Sequence, residues 1–348
     1  MSTYLINGKF MADRMQGIVR YAREILSELD KLLTDDITVS LVIPPDAKSV
    51  PAYQNIKIVP VGTHTGILWE QFDFGNYVRK HKEATLINFC NVTPFGVQPG
   101  ITVVHDIMYK VKPEYYVSLR NKISRLWHVL QYRYIFSHEK SIITVSEFSK
   151  GEIEKYYSAA RGKIHVIPNG WQHVLRVSDD ENWQKKWPDL KPRQFFFSLS
   201  TMAKNKNGEW ILKAAEKNPD EIFAMAGSSY EKLSMPVPAN VRLLGFVTDE
   251  EVHSLMKNCK AFIHPSFYEG FGIPPLEALA LGAQVISSNT SSLPEVLENS
   301  VHYIDPSVPE VDLNTVLNEI TDRPSTALEK FSWQKSAEKL NQNLEFIE

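Results

Sequence analysis

The pattern that most limits this chain is an end-to-end alternation of short β-rich runs with helical segments. In the first half the runs are YLIN (4–7), ITVSLVIP (37–44), IKIVPV (56–61), ATLINF (84–89), ITVVHD (101–106), SIITVS (141–146) and KIHVIP (163–168). In the second they are QFFFSLS (194–200), EIFAMAG (221–227), VRLLGF (241–246), AFIHPS (261–266), AQVISSN (283–289) and VHYID (301–305). Runs this uniformly apolar are buried on both faces, as in parallel sheets covered by helices. Between the two series, residues 169–194 lack clean periodicity and are punctuated by Pro188 and Pro192. Seven strands before the break and six after it predict an α/β chain of two Rossmann-like lobes. The expected boundaries are 1–172 for the first lobe, 173–193 for a linker, 194–325 for the second lobe and 326–348 for a closing helix. In that last segment Trp333, Ala337, Leu340, Leu344 and Ile347 recur at helical spacing, predicting an amphipathic helix that packs back on the first lobe.

Length agrees, since 348 residues exceed one ordinary core and suggest two of roughly 150 residues each. A net charge of −3 offers no global positive field for nucleic acid. Cys90 and Cys259 stand apart in apolar segments, giving no disulfide framework and pointing to a reducing, cytoplasmic compartment. MSTYLINGKF has no charged region followed by an apolar run, so no signal peptide is expected. No stretch approaches the roughly 18 apolar residues that span a bilayer, so any membrane link would be peripheral. Ser149-x-x-Glu152, Thr248-x-x-Glu251 and Ser292-x-x-Glu295 read as capping boxes, which gives their polar residues a structural explanation.

The stretch HPSFYEGFGIPPLEALALG (264–282) carries the chemistry. It follows the carboxyl end of a buried strand, where open α/β sheets place ligands. Gly270 and Gly272 let the main chain approach a ligand closely, and Pro274 and Pro275 suit the first turn of a helix that ends at Gly282. The helix start aims its amides and positive dipole end at the turn, a site for phosphate. Glu269 and Glu277 cannot share that role. A carboxylate about 4 Å from a phosphate charge suffers roughly 4 kcal/mol of repulsion at an effective dielectric near 20. Both are better used accepting hydrogen bonds from hydroxyls on either side of the phosphate. Hydroxyls flanking a diphosphate describe a sugar nucleotide.

FAMAGSS, the run from NVRLLGFVTDEEV through SNTSSLPEV, and HYIDPS closely resemble glycosyltransferase family 4, a GT-B family of retaining transferases that use nucleotide-sugar donors. The likeness extends upstream through TVSEFSKGEIEKYY, KIHVIPNG, SLSTMAKNKNGEWILKAA and NGKFMADRMQGIVRYAREIL, and ends with FSWQKSAEKL. Its E-x7-E element lies within PSFYEGFGIPPLEA. The resemblance implies two lobes facing across a cleft, with the acceptor on the first and the nucleotide sugar on the second. It implies that Glu277 holds the ribose hydroxyls and Glu269 the hydroxyls of the transferred sugar. The amides of Gly270, Phe271 and Gly272 would hold sugar or diphosphate, and Lys206 would neutralise the leaving diphosphate. The position before Lys206 is usually basic in the family but is Asn205 here, with Lys204 beside it to supply the charge. The base pocket would be largely backbone around Gly227 and Gly245, Phe246 and Val247. His105, followed by Asp106, matches the histidine at the cleft mouth that bonds to a donor-sugar hydroxyl or to the leaving oxygen. Gly17 resembles the N-terminal glycine loop facing phosphates and acceptor; a helix-entry glycine is the plain alternative. Ser146 and Asn169 lie near the cleft by resemblance, and helix capping and a turn explain them almost as well.

No D-x-D and no metal-spaced cluster is present, so no metal or other cofactor is expected. With retention implied by the resemblance, the expected activity is a metal-independent retaining hexosyltransferase. Its acceptor would be a glycan or a lipid-linked molecule in surface polysaccharide (lipopolysaccharide or exopolysaccharide) or glycolipid synthesis. An epimerase, a soluble disaccharide synthase and a non-catalytic donor-binding subunit are the alternatives. Residues 110–140 hold seven Lys/Arg against two Glu, with Leu119, Ile123, Leu126, Leu130 and Tyr134 in one stripe. The stripe reads either as the core side of a helix with a basic outer face, or as a surface for peripheral contact with the inner face of an anionic membrane. Donor base, sugar and linkage are not legible.

Overall fold

The alternation of apolar runs becomes two parallel sheets. The structure, a computed structural model, describes residues 2–199, 203–228, 230 and 233–346. Ser200, Ser229 and Ile347, each part of a segment singled out above, lie outside them. The chain divides into two compact units: Met1–Asn169 with Trp333–Glu348, and Gly170–Ser332.

The first unit holds β1 (Ser2–Asn7), β2 (Ile37–Ile43), β3 (Ile56–Pro60), β4 (Thr85–Asn88), β5 (Ile101–Val103), β6 (Ser141–Thr144) and β7 (Ile164–Val166). They pair in parallel in the order β3-β2-β1-β4-β5-β6-β7, with β1 running from Ser2 beside Ile37 to Asn7 beside Val42. The second unit holds β8 (Phe195–Leu199), β9 (Ile222–Ala226), β10 (Val241–Gly245), β11 (Ala261–His264), β12 (Gln284–Ser288) and β13 (His302–Ile304), ordered β10-β9-β8-β11-β12-β13. In each sheet chain order reverses once, between β1 and β4 and between β8 and β11. At such a switch point neighbouring loops diverge and leave a crevice beyond the strands' carboxyl ends.

Among the described residues, seven helices of 8 to 20 residues cover these sheets: α1 (Gly17–Leu29), α2 (Leu119–His138), α3 (Glu147–Tyr156), α4 (Gly208–Lys217), α5 (Asp249–Asn258), α6 (Ile273–Ala280) and α7 (Trp333–Phe346). In the second unit Trp210, Ile211 and Ala214 of α4 close over Phe196, Phe223, Met225 and Ile263 of the sheet. In the first, α7 packs beside α1. The Trp333 ring meets Tyr21 edge-on at 6.1 Å, Ser336 Oγ donates to Pro168 O at 2.8 Å, and Tyr4 Oη donates to Leu344 O at 2.9 Å.

Several expectations change. Residues 173–193 are not a linker but part of the second unit, where Val174, Trp183 and Leu190 are buried and Trp183 packs on Phe195. Single anchors at irregular spacing hold this segment, which is why it shows no period. Thr248 and Glu251 form the predicted capping box. Ser149 does not cap a helix: α3 starts one turn earlier, on Ser146 Oγ, and Ser149 Oγ instead donates to His105 O at 3.1 Å. Ser292 makes no side-chain cap either; its Oγ donates to Glu269 O at 3.0 Å. Finally, α2 buries Gln131, Tyr132, Ile135 and Phe136, and Leu119, Ile123, Leu126 and Leu130 of the stripe face solvent. Its fifth member, Tyr134, is half-buried against Phe95 and accepts from Gly96 N. The core-side reading of that stripe is wrong. A second, more aromatic face farther along the helix fits the sheet better.

Candidate active site

The switch point of the second sheet assembles the expected donor residues. The chain leaving β8 turns through Lys204–Lys206 before α4, and the chain leaving β11 turns through residues 265–272 before α6. These are adjacent strands, so a lysine and a glutamate 63 positions apart in sequence meet. Lys206 Nζ lies 2.7 Å from Glu269 Oε1, and His264 Nε2 lies 3.2 Å from the same oxygen. Burial alone would raise the Glu269 pKa, but the Lys206 charge and the His264 hydrogen bond outweigh it and hold the carboxyl well below the usual range. Burial lowers the His264 pKa against the pull of Glu269. His264 is therefore a neutral ring donating its Nε2–H, and the site holds one cation and one carboxylate.

The main chain around this pair is braced. Phe267 N donates to Asn205 O at 2.7 Å, and Asn205 Nδ2 to Tyr268 O at 3.4 Å. Asn205 thus ties the lysine turn to the glutamate turn where the family usually carries a charge. Lys204 is exposed beside it. Asn207, in the left-handed conformation, opens α4 and donates to Pro265 O and Pro306 O. Glu269 N donates to Ser291 Oγ at 3.0 Å. Phe271 is buried and meets Phe331 edge-on at 5.1 Å. Gly272 takes φ +96°, and a Cβ there would stand 2.5 Å from Leu293 Cδ2. Pro274 and Pro275 also remove two amides from the start of α6. Of the first three residues of α6, Ile273 alone keeps an amide hydrogen.

Glu277 projects from α6 and is met by a partner that no motif announced. His173 Nε2 lies 2.6 Å from Glu277 Oε1, with both side chains largely buried. His173 stands in a single turn, Gln172–Arg176, inside the stretch read as linker. Trp171 Nε1 donates to Leu328 O and Gln172 Nε2 to Phe331 O, which fixes that turn on the second unit. His264 and Ser291 were likewise assigned no role from sequence. The only hint was that His264 opens the conspicuous stretch. At the carboxyl ends of β9 and β10, Gly227 N donates to Gly245 O at 2.9 Å. Gly245 takes φ +70°, Val247 is buried, and the Phe246 ring is left 85% exposed.

The remaining candidates belong to the first unit. His105, just past β5, is buried; its Nε2 donates to Phe89 O at 2.9 Å and its ring lies edge-on to Tyr21 at 4.9 Å. Burial, only partly offset by the Phe89 bond, pushes its pKa down to about 4. A carbonyl can only accept, so Nε2 carries the proton and Nδ1 keeps its lone pair. Asp106 Oδ1 accepts from Met108 N at 2.8 Å, and Ser146 caps α3, so both have local structural work. Gly17 is the exposed first residue of α1.

Two family models match the chain: glycosyltransferase family 4 over residues 15–172 and glycosyl transferases group 1 over residues 179–331. Among curated proteins, it is 27% identical over 277 residues to an O-antigen chain mannosyltransferase B of Escherichia coli, covering 69% of this chain and 68% of that one. It is 24% identical over 315 residues to a serotype-specific mannosyltransferase WbdA of the same species, covering 84% of this chain and 37% of the relative. The chain thus spans about two thirds of one relative and little more than a third of the other. Among solved structures, a sucrose-phosphate synthase from Thermosynechococcus elongatus superposes with a TM-score of 0.72 at 16% identity, covering 100% of this chain and 99% of that one. WaaG, a glycosyltransferase involved in lipopolysaccharide biosynthesis, superposes with a TM-score of 0.63 at 15% identity, over 98% and 95% of the two chains. With both halves matched and each sheet of the expected kind, the chain belongs to the family 4 glycosyltransferases of the GT-B type.

Proposed function

We propose that this chain transfers a hexosyl group, with retention, from a nucleoside-diphosphate sugar to a glycan or lipid-linked acceptor during assembly of a surface polysaccharide or glycolipid. The observation that carries the reading is the meeting of Lys206, His264 and Glu269 beside the Gly270–Gly272 turn. In such a donor the diphosphate is bonded to the anomeric carbon. The cation that takes the phosphate and the carboxylate that takes ring hydroxyls must therefore be neighbours, as Lys206 and Glu269 are. A carboxylate held ionised only accepts hydrogen bonds, which suits hydroxyl donors and excludes phosphate. Glu277, oriented by His173, takes the ribose hydroxyls at the other end.

Transfer then breaks the bond from the anomeric carbon to the diphosphate oxygen and forms one to the acceptor oxygen on the same face. The acceptor's hydroxyl proton passes to the departing oxygen. Lys206, the turn amides and the α6 dipole stabilise the charge that develops there, a preorganised field that the reading asks to act without a metal. Glu269 serves as a hydroxyl acceptor rather than a nucleophile, because Lys206 and His264 already engage it. The lone pair on His105 Nδ1 suits it to accept from a sugar hydroxyl, not to protonate the leaving oxygen. The mannosyltransferase names of the curated relatives favour mannose as the sugar moved.

The test is a panel of UDP-, GDP- and dTDP-sugars, GDP-mannose among them, assayed for binding and then for transfer. Loss of a charge-assisted hydrogen bond worth roughly 1.5–3 kcal/mol predicts that Glu277→Ala weakens nucleotide binding about 10- to 100-fold. Glu269→Ala is expected to spare binding and lower turnover by on the order of 100-fold. Parental transfer rates in both variants would overturn the assignment.

A further inference from the structure

Helix α2 carries two apolar faces and buries one of them. Leu119 is 75% exposed, Ile123 61%, Leu126 59% and Leu130 45%, and Val117 just before the helix is 63% exposed. At 3.6 residues per turn the four helical positions fall within an arc of about 60°, opposite the buried Gln131, Tyr132, Ile135 and Phe136. Single exposed leucines are ordinary; four in register with a fifth beside them are not. The exposed Arg133 continues the line, and the exposed Arg120 and Lys122 flank it.

The charge around this ridge is one-sided. Residues 110–140 contain seven Lys/Arg, and of their two glutamates Glu139 is buried with Oε2 accepting from Gly100 N at 2.6 Å. That leaves Glu114 as the segment's exposed acid, in a chain whose net charge is −3. An apolar ridge with a basic rim matches an anionic lipid interface: the leucines enter the acyl boundary while the long cationic side chains reach the headgroup phosphates. A second copy of the chain is a poorer match, because pairing the ridges would set Arg120, Lys122 and Arg133 against their own counterparts. Among the described residues no helix is long and apolar enough to cross a membrane, so α2 would lie in the interface plane.

We propose that the outer face of α2 docks the chain on an anionic lipid surface. Docking stands on the helix alone; that it brings the enzyme to a membrane-borne acceptor rests on the function proposed above. Flotation of the full chain with vesicles tests it: phosphatidylcholine alone, and phosphatidylcholine with about a third replaced by phosphatidylglycerol. The chain is expected to float with the anionic vesicles and not the neutral ones, and to be released by high salt. Ile123→Glu with Leu126→Glu should cut flotation at least tenfold without changing the thermal melt or nucleotide-sugar binding, since both positions face solvent. Arg120→Glu with Lys122→Glu should do the same. No flotation of the parent overturns the proposal, as does equal flotation of the variants. So does a parent dimer that the Ile123→Glu, Leu126→Glu chain no longer forms while lipid binding is unchanged. Flotation needs no turnover, so failure here and failure of the transferase reading are separate results.

Discussion

Lys206 and Glu269 show how little of a site is spelled by a motif. The two-glutamate spacing was legible in the sequence, and charge repulsion already assigned hydroxyls to the glutamates and phosphate to the turn. What no spacing could reveal is that burial works against Glu269, and that only Lys206 and His264 keep it ionised. The sign of the consequence follows. A carboxyl whose folded pKa is depressed adds stability above its unfolded value of roughly 4.3, and loses it as pH falls through the folded value. In the parent that loss lies far into acid. Lys206→Met removes the larger opposing influence, so burial prevails, the folded pKa rises and the window moves towards neutral. Turnover by the parent should therefore show no loss through Glu269 from about pH 5 upward, while the variant, slower throughout, should lose further turnover as pH falls below about 6. Turnover measured at saturating donor across that range decides it. A variant profile parallel to the parent's would mean that Lys206 does not govern the ionisation of Glu269. His173 and His264 were invisible for a related reason: each acts through a carboxylate brought to it by the fold.

Elements were more legible than their orientations. All thirteen apolar runs became strands among the described residues, because strands buried on both faces need continuous apolar sequence and leave little ambiguity. Helix α2 is the counterexample. Periodicity grouped Leu119, Ile123, Leu126 and Leu130 on one face, with Tyr134 at its half-buried margin, but it cannot say which of two apolar faces turns inward. The packing of Tyr132, Ile135 and Phe136 decided that. The segment read as a linker failed similarly, since Val174, Trp183 and Leu190 are isolated anchors with no period to detect. The turn into α6 is the element on which most depends. Gly272 combines a positive φ with a close approach to Leu293, so a side chain there is excluded twice over. Gly272→Ala should destabilise the second unit by about 2–3 kcal/mol, from backbone strain and the clash together. It should also misplace the turn amides and weaken nucleotide-sugar binding. Urea unfolding followed through Trp183 and Trp210 would report the first effect and calorimetry the second. Parental values in both would show that the turn relaxes freely and holds no anion.

At the scale of the whole molecule, the chain enters the first unit twice. Residues up to Asn169 build its sheet, and Trp333–Phe346 return to cover α1 after the second unit is complete. Trp333, Leu340 and Leu344 are almost wholly buried there. Stopping the chain at Ser332 would expose those contacts, at roughly 1.5–3 kcal/mol per large side chain, so on the order of 5 kcal/mol or more in all. It would also remove the hydrogen bonds from Tyr4 Oη to Leu344 O and from Ser336 Oγ to Pro168 O. Against a typical stability of about 5–15 kcal/mol, that is enough to leave the first unit marginal or unfolded. The second unit loses nothing of its own, and it contains Lys206, His264, Glu269, Glu277 and His173. The truncated chain should therefore show an early transition for the first unit and an unchanged later one for the second. It should still bind nucleotide sugar near parental affinity, yet fail to transfer, because the function proposed above assigns His105 and the acceptor to the unit that has melted. Scanning calorimetry, nucleotide-sugar titration and a transfer assay on the one truncated protein distinguish the outcomes. Loss of donor binding together with transfer would mean that the two units fold as one and that the site does not belong to the second alone.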